Sequence, residues 1–239
     1  MKRFILAFAS LSLFMLLAAQ PPALARNGSG IPLNPKPFHL PFLDPPGPGT
    51  WLLGQPYGNT TGAYRQRKTT YGQGQGIHFG IDLLAACKTP ALALADGTVV
   101  GVDGPFGSAP HNLMILFPNG YAALYGHLYE RPRLQLGQPV KAGQFVALTG
   151  DPDETCYSRP HLHLEIRDST FARAYNPIDF IDADWENLMV VSAVGRGFEK
   201  DLDSPRQWQY ADDQPEIHFG FPLVNDFVHP WPPSQGTDR

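Results

Sequence analysis

The chain has 239 residues, of which 43% are hydrophobic and 17% charged, and its formal net charge is −4. This is the composition of a folded protein able to close one hydrophobic core, which excludes a disordered polar chain. No Lys/Arg cluster or basic helix is present to follow a phosphate backbone, which excludes nucleic acid as a partner.

In chain order, Lys2 and Arg3 precede an apolar run over residues 4–19, and Ala23-Leu24-Ala25 forms an A-x-A cleavage signal before Arg26. Residues 1–25 therefore read as a secretory signal peptide, shorter in its apolar part than the roughly 20 residues a membrane span needs. No Cys follows the run closely enough for a lipid anchor, and no later segment reads as a span, so no membrane contact is expected after signal removal. Residues 26–48 hold Pro32, Pro35, Pro37, Pro41, Pro45, Pro46 and Pro48. That density prevents regular helix or central strand, and the segment reads as an extended leader, a linker rather than an arm wrapped on the domain.

Residues 49–184 alternate short β-branched or apolar runs with Gly, Pro and Asp turns, with no long helical period. ALALADGTVVGVDG, NLMILFPNGYAALYGHL and QFVALTG read as strands, and Asn119-Gly120 marks a hairpin turn because both residues tolerate positive φ. The expected fold is mostly β, an antiparallel β-sheet domain with irregular N- and C-terminal extensions. Residues 185–239 change character, with Trp185, Trp208 and Trp231 among acidic residues and prolines. They read as a C-terminal extension packed partly on the β domain.

Three short segments carry the chemistry: GIHFGID with His78 and Asp82, LYGHL with His127, and PHLHLE with His161 and His163. Imidazole and carboxylate are ligands that zinc prefers, and three protein ligands leave a fourth position open, so these five side chains can build one hydrolytic metal site. In a strand, His161, His163 and Glu165 share one face while Leu162, Leu164 and Ile166 share the other. Gly80 and the β-branched Ile77 and Ile81 argue for extended chain through HFGID, with Gly80 between the two ligands on their face, leaving room for a metal and its water. Tyr125 is expected to share a face with His127 and stand beside it in a groove. Each motif alone is as well explained by a solvated face or a structural histidine; their company is what gives them weight. Cys87 follows Asp82 by five residues and Cys156 precedes His161 by five, so a site joining Asp82 to His163 would bring the thiols close. A disulfide fits an exported chain. A zinc-binding thiolate pair competes with it, but the His/Asp set already completes a site. His218 lies in IHFGFP, an echo of IHFGID with Pro222 in place of the carboxylate; it reads as chance or structural, as do His39 and His229.

The order H-x-x-x-D, Y-G-H-L, P-H-L-H-x-E resembles the lysostaphin/LytM-type zinc metalloendopeptidases of bacterial cell walls over roughly residues 50–180. ADGTVV, VKAGQ at 140–144 and NPIDF agree with it. The resemblance implies a duplicated-hybrid-motif-like sheet and one Zn2+ per chain held by His78, Asp82 and His163. It makes His127 and His161 the catalytic imidazoles. Glu165 becomes a candidate for orienting a histidine, and Tyr71 a candidate for steadying an oxyanion. It also implies a peptide of peptidoglycan as substrate and a secreted, periplasmic or wall-associated location. The sequence departs from the pattern at Cys87-Lys88, at the Cys-bearing loop DPDETCYSR and at His111, none of which removes a site residue. The rival readings are a non-catalytic peptidoglycan-binding or hydrolase-activating module using the same groove, and a metal carrier. A complete set of five side chains weighs against the first, and the buried-sheet placement with two further histidines against the second.

Overall fold

The computed structural model describes residues 35–153, 156–191, 197–199, 201, 203–204, 208 and 210–228. The signal segment 1–25, the first part of the leader, His229 and Trp231 lie outside the described residues. Among those described, no helix is long and apolar enough to cross a membrane.

Among the described residues, eleven strands follow in chain order: β1 (Trp51–Gln55), β2 (Ile81–Ala85), β3 (Pro90–Leu92), β4 (Gly97–Val102), β5 (His111–Leu116), β6 (Tyr121–Leu128), β7 (Pro139–Val140), β8 (Phe145–Leu148), β9 (His161–Asp168), β10 (Arg173–Tyr175) and β11 (Ile217–His218). The main sheet runs β1-β2-β9-β6-β5-β4-β7, with β10 on β9 and β11 on β10, while β3 and β8 pair separately. The ladders are antiparallel. Two short helices complete the list, α1 (Thr61–Arg65) and α2 (Trp185–Val190). The side chain of Thr60 caps α1 by accepting the amide of Ala63 at 3.2 Å, and that of Asp184 caps α2 by accepting the amide of Asn187.

The period-two pattern decides which face becomes core. Ile81 and Leu83 of β2, Leu113 and Ile115 of β5, Ala123 and Tyr125 of β6, and Leu162, Leu164 and Ile166 of β9 are fully buried in one continuous core. Among the described residues, the opposite face carries a small apolar cluster of Met114, Ala122 and Leu124 flanked by Phe106 and Phe171. That leaves its β2–β9–β6 region for polar side chains. At the β5–β6 turn the positive φ falls on Gly120 (84°) alone, and Asn119 contributes through its Oδ1, which accepts the amide of Tyr121 at 3.2 Å.

The described part of the leader does not run free as a linker. Phe38 is fully buried against Phe117 and forms a parallel bridge to Ile181, His39 donates to the carbonyl of Leu94, and Phe42 packs on Trp51. Proline density forbids regular structure but not burial, because aromatics between the prolines provide apolar area. The C-terminal extension also returns to the domain. Asn225 donates to the carbonyl of Gly76 and to Oδ1 of Asn59, and Val224 donates to the carbonyl of Gln75.

Candidate metal centre

Strand register alone brings most of the site together. Asp82 of β2 lies opposite His163 of β9, and Gly126 of β6 lies opposite His163 from the other side. His78 precedes β2 and is not on it: its amide and carbonyl bridge those of Gly58 at 2.9 and 2.8 Å. The extended segment expected through HFGID therefore begins only at Ile81. Gly80 permits the close approach there, since a Cβ would lie 2.6 Å from the carbonyl oxygen of Leu164 and 2.8 Å from Cε1 of His163. The room left by this glycine holds the His163 imidazole.

Three donor atoms converge: Nε2 of His78, Oδ1 of Asp82 and Nδ1 of His163. Their separations are 3.3 Å (His78–Asp82), 2.8 Å (His163–Asp82) and 3.2 Å (His78–His163). The edge of a tetrahedron with zinc bonds of 2.0–2.1 Å is about 3.3 Å, so a borderline-soft divalent ion fits this set with little movement. The outer nitrogens fix which atom faces inward. His78 Nδ1 donates to the carbonyl of Pro56 at 2.8 Å, and His163 Nε2 donates to Oε1 of Glu165 at 3.1 Å. Burial opposes charge on Asp82, but the surrounding histidines prevail and hold its carboxyl well below the usual range. Burial would likewise lower His163, yet its hydrogen bonds to Asp82 and Glu165 outweigh this and raise it to about 9. A bound cation would displace that proton.

His161 and His127 complete the cluster without joining the triad. His161 Nδ1 donates to the carbonyl of Arg159 at 2.7 Å, turning Nε2 toward the site, 3.8 Å from Oδ1 of Asp82. His127 donates through Nδ1 to the carbonyl of Ala109, and its ring lies 4.9 Å from that of His161 and 5.7 Å from that of His163. Burial, then the charge of His163, lowers His127 to about 4, so its Nε2 is an unprotonated acceptor at neutral pH.

Tyr125 does not stand beside His127. It is fully buried in the core, with its hydroxyl donating to the carbonyl of Leu92 and accepting the amide of Leu94. Strand alternation would have sent His127 to the same side. A β-bulge intervenes: the register of β5 against β6 shifts between His111↔Leu128 and Leu113↔Tyr125, and His127 adopts a φ of 54°. The extra residue re-aims the imidazole across the sheet into the groove.

The aromatic neighbour in the groove is Tyr71, edge-on to His78 at 5.7 Å, whose hydroxyl accepts Nε2 of Gln55 at 3.3 Å. Burial, then the Asp82 carboxylate, raises Tyr71 to about 12, so it keeps a proton to donate. All five histidine and aspartate side chains and Tyr71 line one groove of ≈1090 Å³. Glu165 is fully buried behind it, and Cys87 is paired with Cys156 at a Cα separation of 5.6 Å. Sequence reading missed Arg167, which donates from Nε to Oε2 of Glu165 at 2.7 Å, although it continues the same alternation. It also missed Phe79, edge-on to His163 at 5.6 Å and visible only as a neighbour of a ligand.

The groove of this antiparallel sheet thus gathers a His/Asp/His triad that could hold a metal ion, beside two further imidazoles. Residues 76–177 match the model of peptidase family M23. An uncharacterized metalloprotease of Haemophilus influenzae is 36% identical over 101 residues, covering 42% of this chain and 20% of that protein. The DD-carboxypeptidase/endopeptidase Mpg of Neisseria meningitidis serogroup B is 36% identical over 93 residues, covering 38% of this chain and 20% of its own length. The chain thus spans about one fifth of these curated relatives. Among solved structures, the catalytic domain of lysostaphin from Staphylococcus simulans is 23% identical with a TM-score of 0.43, covering 54% of this chain and 91% of that one.

Proposed function

We propose that the chain is an exported zinc endopeptidase that hydrolyses peptide bonds in peptidoglycan cross-links or stem peptides. The observation that carries this reading is the convergence of His78, Asp82 and His163 on one point with two further imidazoles turned toward it. The family match of residues 76–177 and the named activity of the Neisseria relative support it. Export rests on the sequence of residues 1–25.

Zinc held by the triad would supply Lewis acidity, polarising the scissile carbonyl and making water acidic enough to attack near neutral pH. The chain does the rest. The groove lined by the triad receives the peptide, and Glu165 holds the His163 ring in the tautomer that offers Nδ1. His161 and His127 each commit one nitrogen to a backbone carbonyl, which leaves Nε2 to accept a proton from the attacking water and return it to the leaving amine. Tyr71, protonated across the physiological range, donates to the oxygen on which charge develops.

The test combines metal analysis of the mature protein, soluble muropeptide release from purified sacculi, and two kinds of variant. His163→Ala should lose both zinc and release. His161→Ala and His127→Ala should keep zinc and lose about 10² to 10⁴ in rate, the usual worth of a positioned acid–base group. Full release by His163→Ala, or a zinc-loaded wild type that releases nothing from any sacculus, would overturn the reading.

A further inference from the structure

Residues 217–220 repeat the tetrapeptide IHFG that carries the first metal ligand at 77–80. The structure brings the two copies together. Ile77 and Ile217 are both fully buried, and Phe79 meets Phe219 edge to face at 5.4 Å. Phe219 lies well beyond the family-matched segment, which ends at residue 177. It nevertheless lines the same groove as the metal ligands.

The extension is held there by a dense set of bonds. β11 pairs with β10, the amide of Phe219 donates to the carbonyl of Ala172 at 3.0 Å, and that of Gly220 donates to the carbonyl of Gln73 at 2.9 Å. Gln75 clamps the turn from both ends, accepting the amide of His218 at 2.7 Å and donating to the carbonyl of Pro222 at 3.0 Å. This leaves Phe219 with its ring half-buried at the wall.

Its surroundings define what the wall can bind. Arg167 lies under it, 4.4 Å from the ring centroid, and is also 6.0 Å from that of Phe106. This cation is 5% exposed and spent on Glu165 and on the carbonyl of Phe106, so it has little to offer a substrate. Phe171, 5.4 Å from Phe106, also lines the groove, so this end presents phenyl faces. Phe79 stands edge-on to the His163 imidazole at 5.6 Å, which puts the wall within reach of the residue flanking a bond held at the metal, given about 3.3–3.6 Å of extended chain per residue.

We propose that the C-terminal extension is a working part of the substrate groove, in which Phe219 and Phe79 form an apolar subsite that takes the methyl-bearing side chain of a residue flanking the scissile bond. A peptide with alanine at that position is therefore preferred over one with glycine. The inference rests on the endopeptidase reading for its register.

The experiment uses the zinc-loaded full chain and two synthetic stem-type peptides that differ only by Ala or Gly next to the cleaved bond, measured by hydrolysis and by calorimetric affinity. Wild type should favour the alanyl peptide by about tenfold or more, the usual scale for one methyl group in an apolar pocket. Phe219→Ala should lose that preference through KM, the alanyl peptide falling to the level of the glycyl one with zinc content unchanged, and Phe219→Leu should restore most of it. Unchanged selectivity in Phe219→Ala, or equal loss on both peptides with loss of zinc, would overturn the subsite and leave Phe219 a packing residue. If wild type binds the alanyl peptide preferentially through Phe219 but cleaves neither, the subsite stands and the endopeptidase reading fails. Binding of neither peptide sinks the subsite.

Discussion

Glu165 is fully buried, yet it carries charge because it lies between His163 Nε2 at 3.1 Å and Arg167 Nε at 2.7 Å. Burial pushes its pKa up; the Arg167 charge first, then His163, more than reverse this and hold it below the ordinary glutamate value. The carboxylate therefore stays an acceptor and keeps His163 turned with Nδ1 toward the ligand point. Replacing Arg167 by Met keeps much of its length but strands a buried anion. The expected cost is about 3–5 kcal/mol. Arg167→Met combined with Glu165→Gln should be more stable than Arg167→Met alone, because the stranded charge is gone. Urea denaturation of the three proteins checks this, and an Arg167→Met variant as stable as wild type would show that the pair contributes nothing. The alternation HLHLEIRD already placed Arg167 on the face of Glu165, so the pair was legible in principle. Reading the strand for ligands alone stopped two residues short of it.

At the scale of elements, legibility followed the regularity of the backbone. β9 keeps an unbroken two-residue period, so the division of His161, His163 and Glu165 from Leu162, Leu164 and Ile166 could be read straight from the letters. In β6 the same rule misplaced His127 beside Tyr125, because a bulge inserts one residue and reverses the face after it. Gly126 was its only local sign. The disulfide belongs to this scale as well. Cys87 follows β2 and Cys156 precedes β9, adjacent antiparallel partners whose ladder already reaches Leu84↔His161. The staple therefore extends an existing pairing and does not create the site. Closing a loop across a sequence separation of 69 restricts the unfolded chain, a stabilisation of about 2–4 kcal/mol. Cys87→Ala with Cys156→Ala should thus lower the thermal midpoint while one equivalent of zinc is still bound. Loss of zinc at a temperature where the variant remains folded would mean that the bridge positions the ligands.

Across the whole molecule, a charge from each extension acts on Asp179 of the NPIDF motif. Burial, resisted by Lys36 of the leader and reinforced by Asp212 of the C-terminal extension, raises this carboxyl to about 6. Burial in the folded chain, together with charges from segments distant in sequence, produces it, which is why the letters alone gave no hint. The folded protein holds the Asp179 proton more tightly than the unfolded chain does, so ionisation opposes folding. The penalty is absent below the unfolded value near 4, grows as pH rises toward 6, and is fully present above it. A rise to about 6 would correspond to about 3 kcal/mol, which partial exposure reduces to about 1–2 kcal/mol. Asp179→Asn removes the charge with little change of shape. At pH 8 it should raise the thermal midpoint by several degrees, at about 2–4 °C per kcal/mol for a domain of this size, and at pH 3.5 the two proteins should melt together. Thermal melts across that range decide the matter: a variant less stable than wild type at pH 8 would show that the carboxylate has a partner worth more than its burial costs.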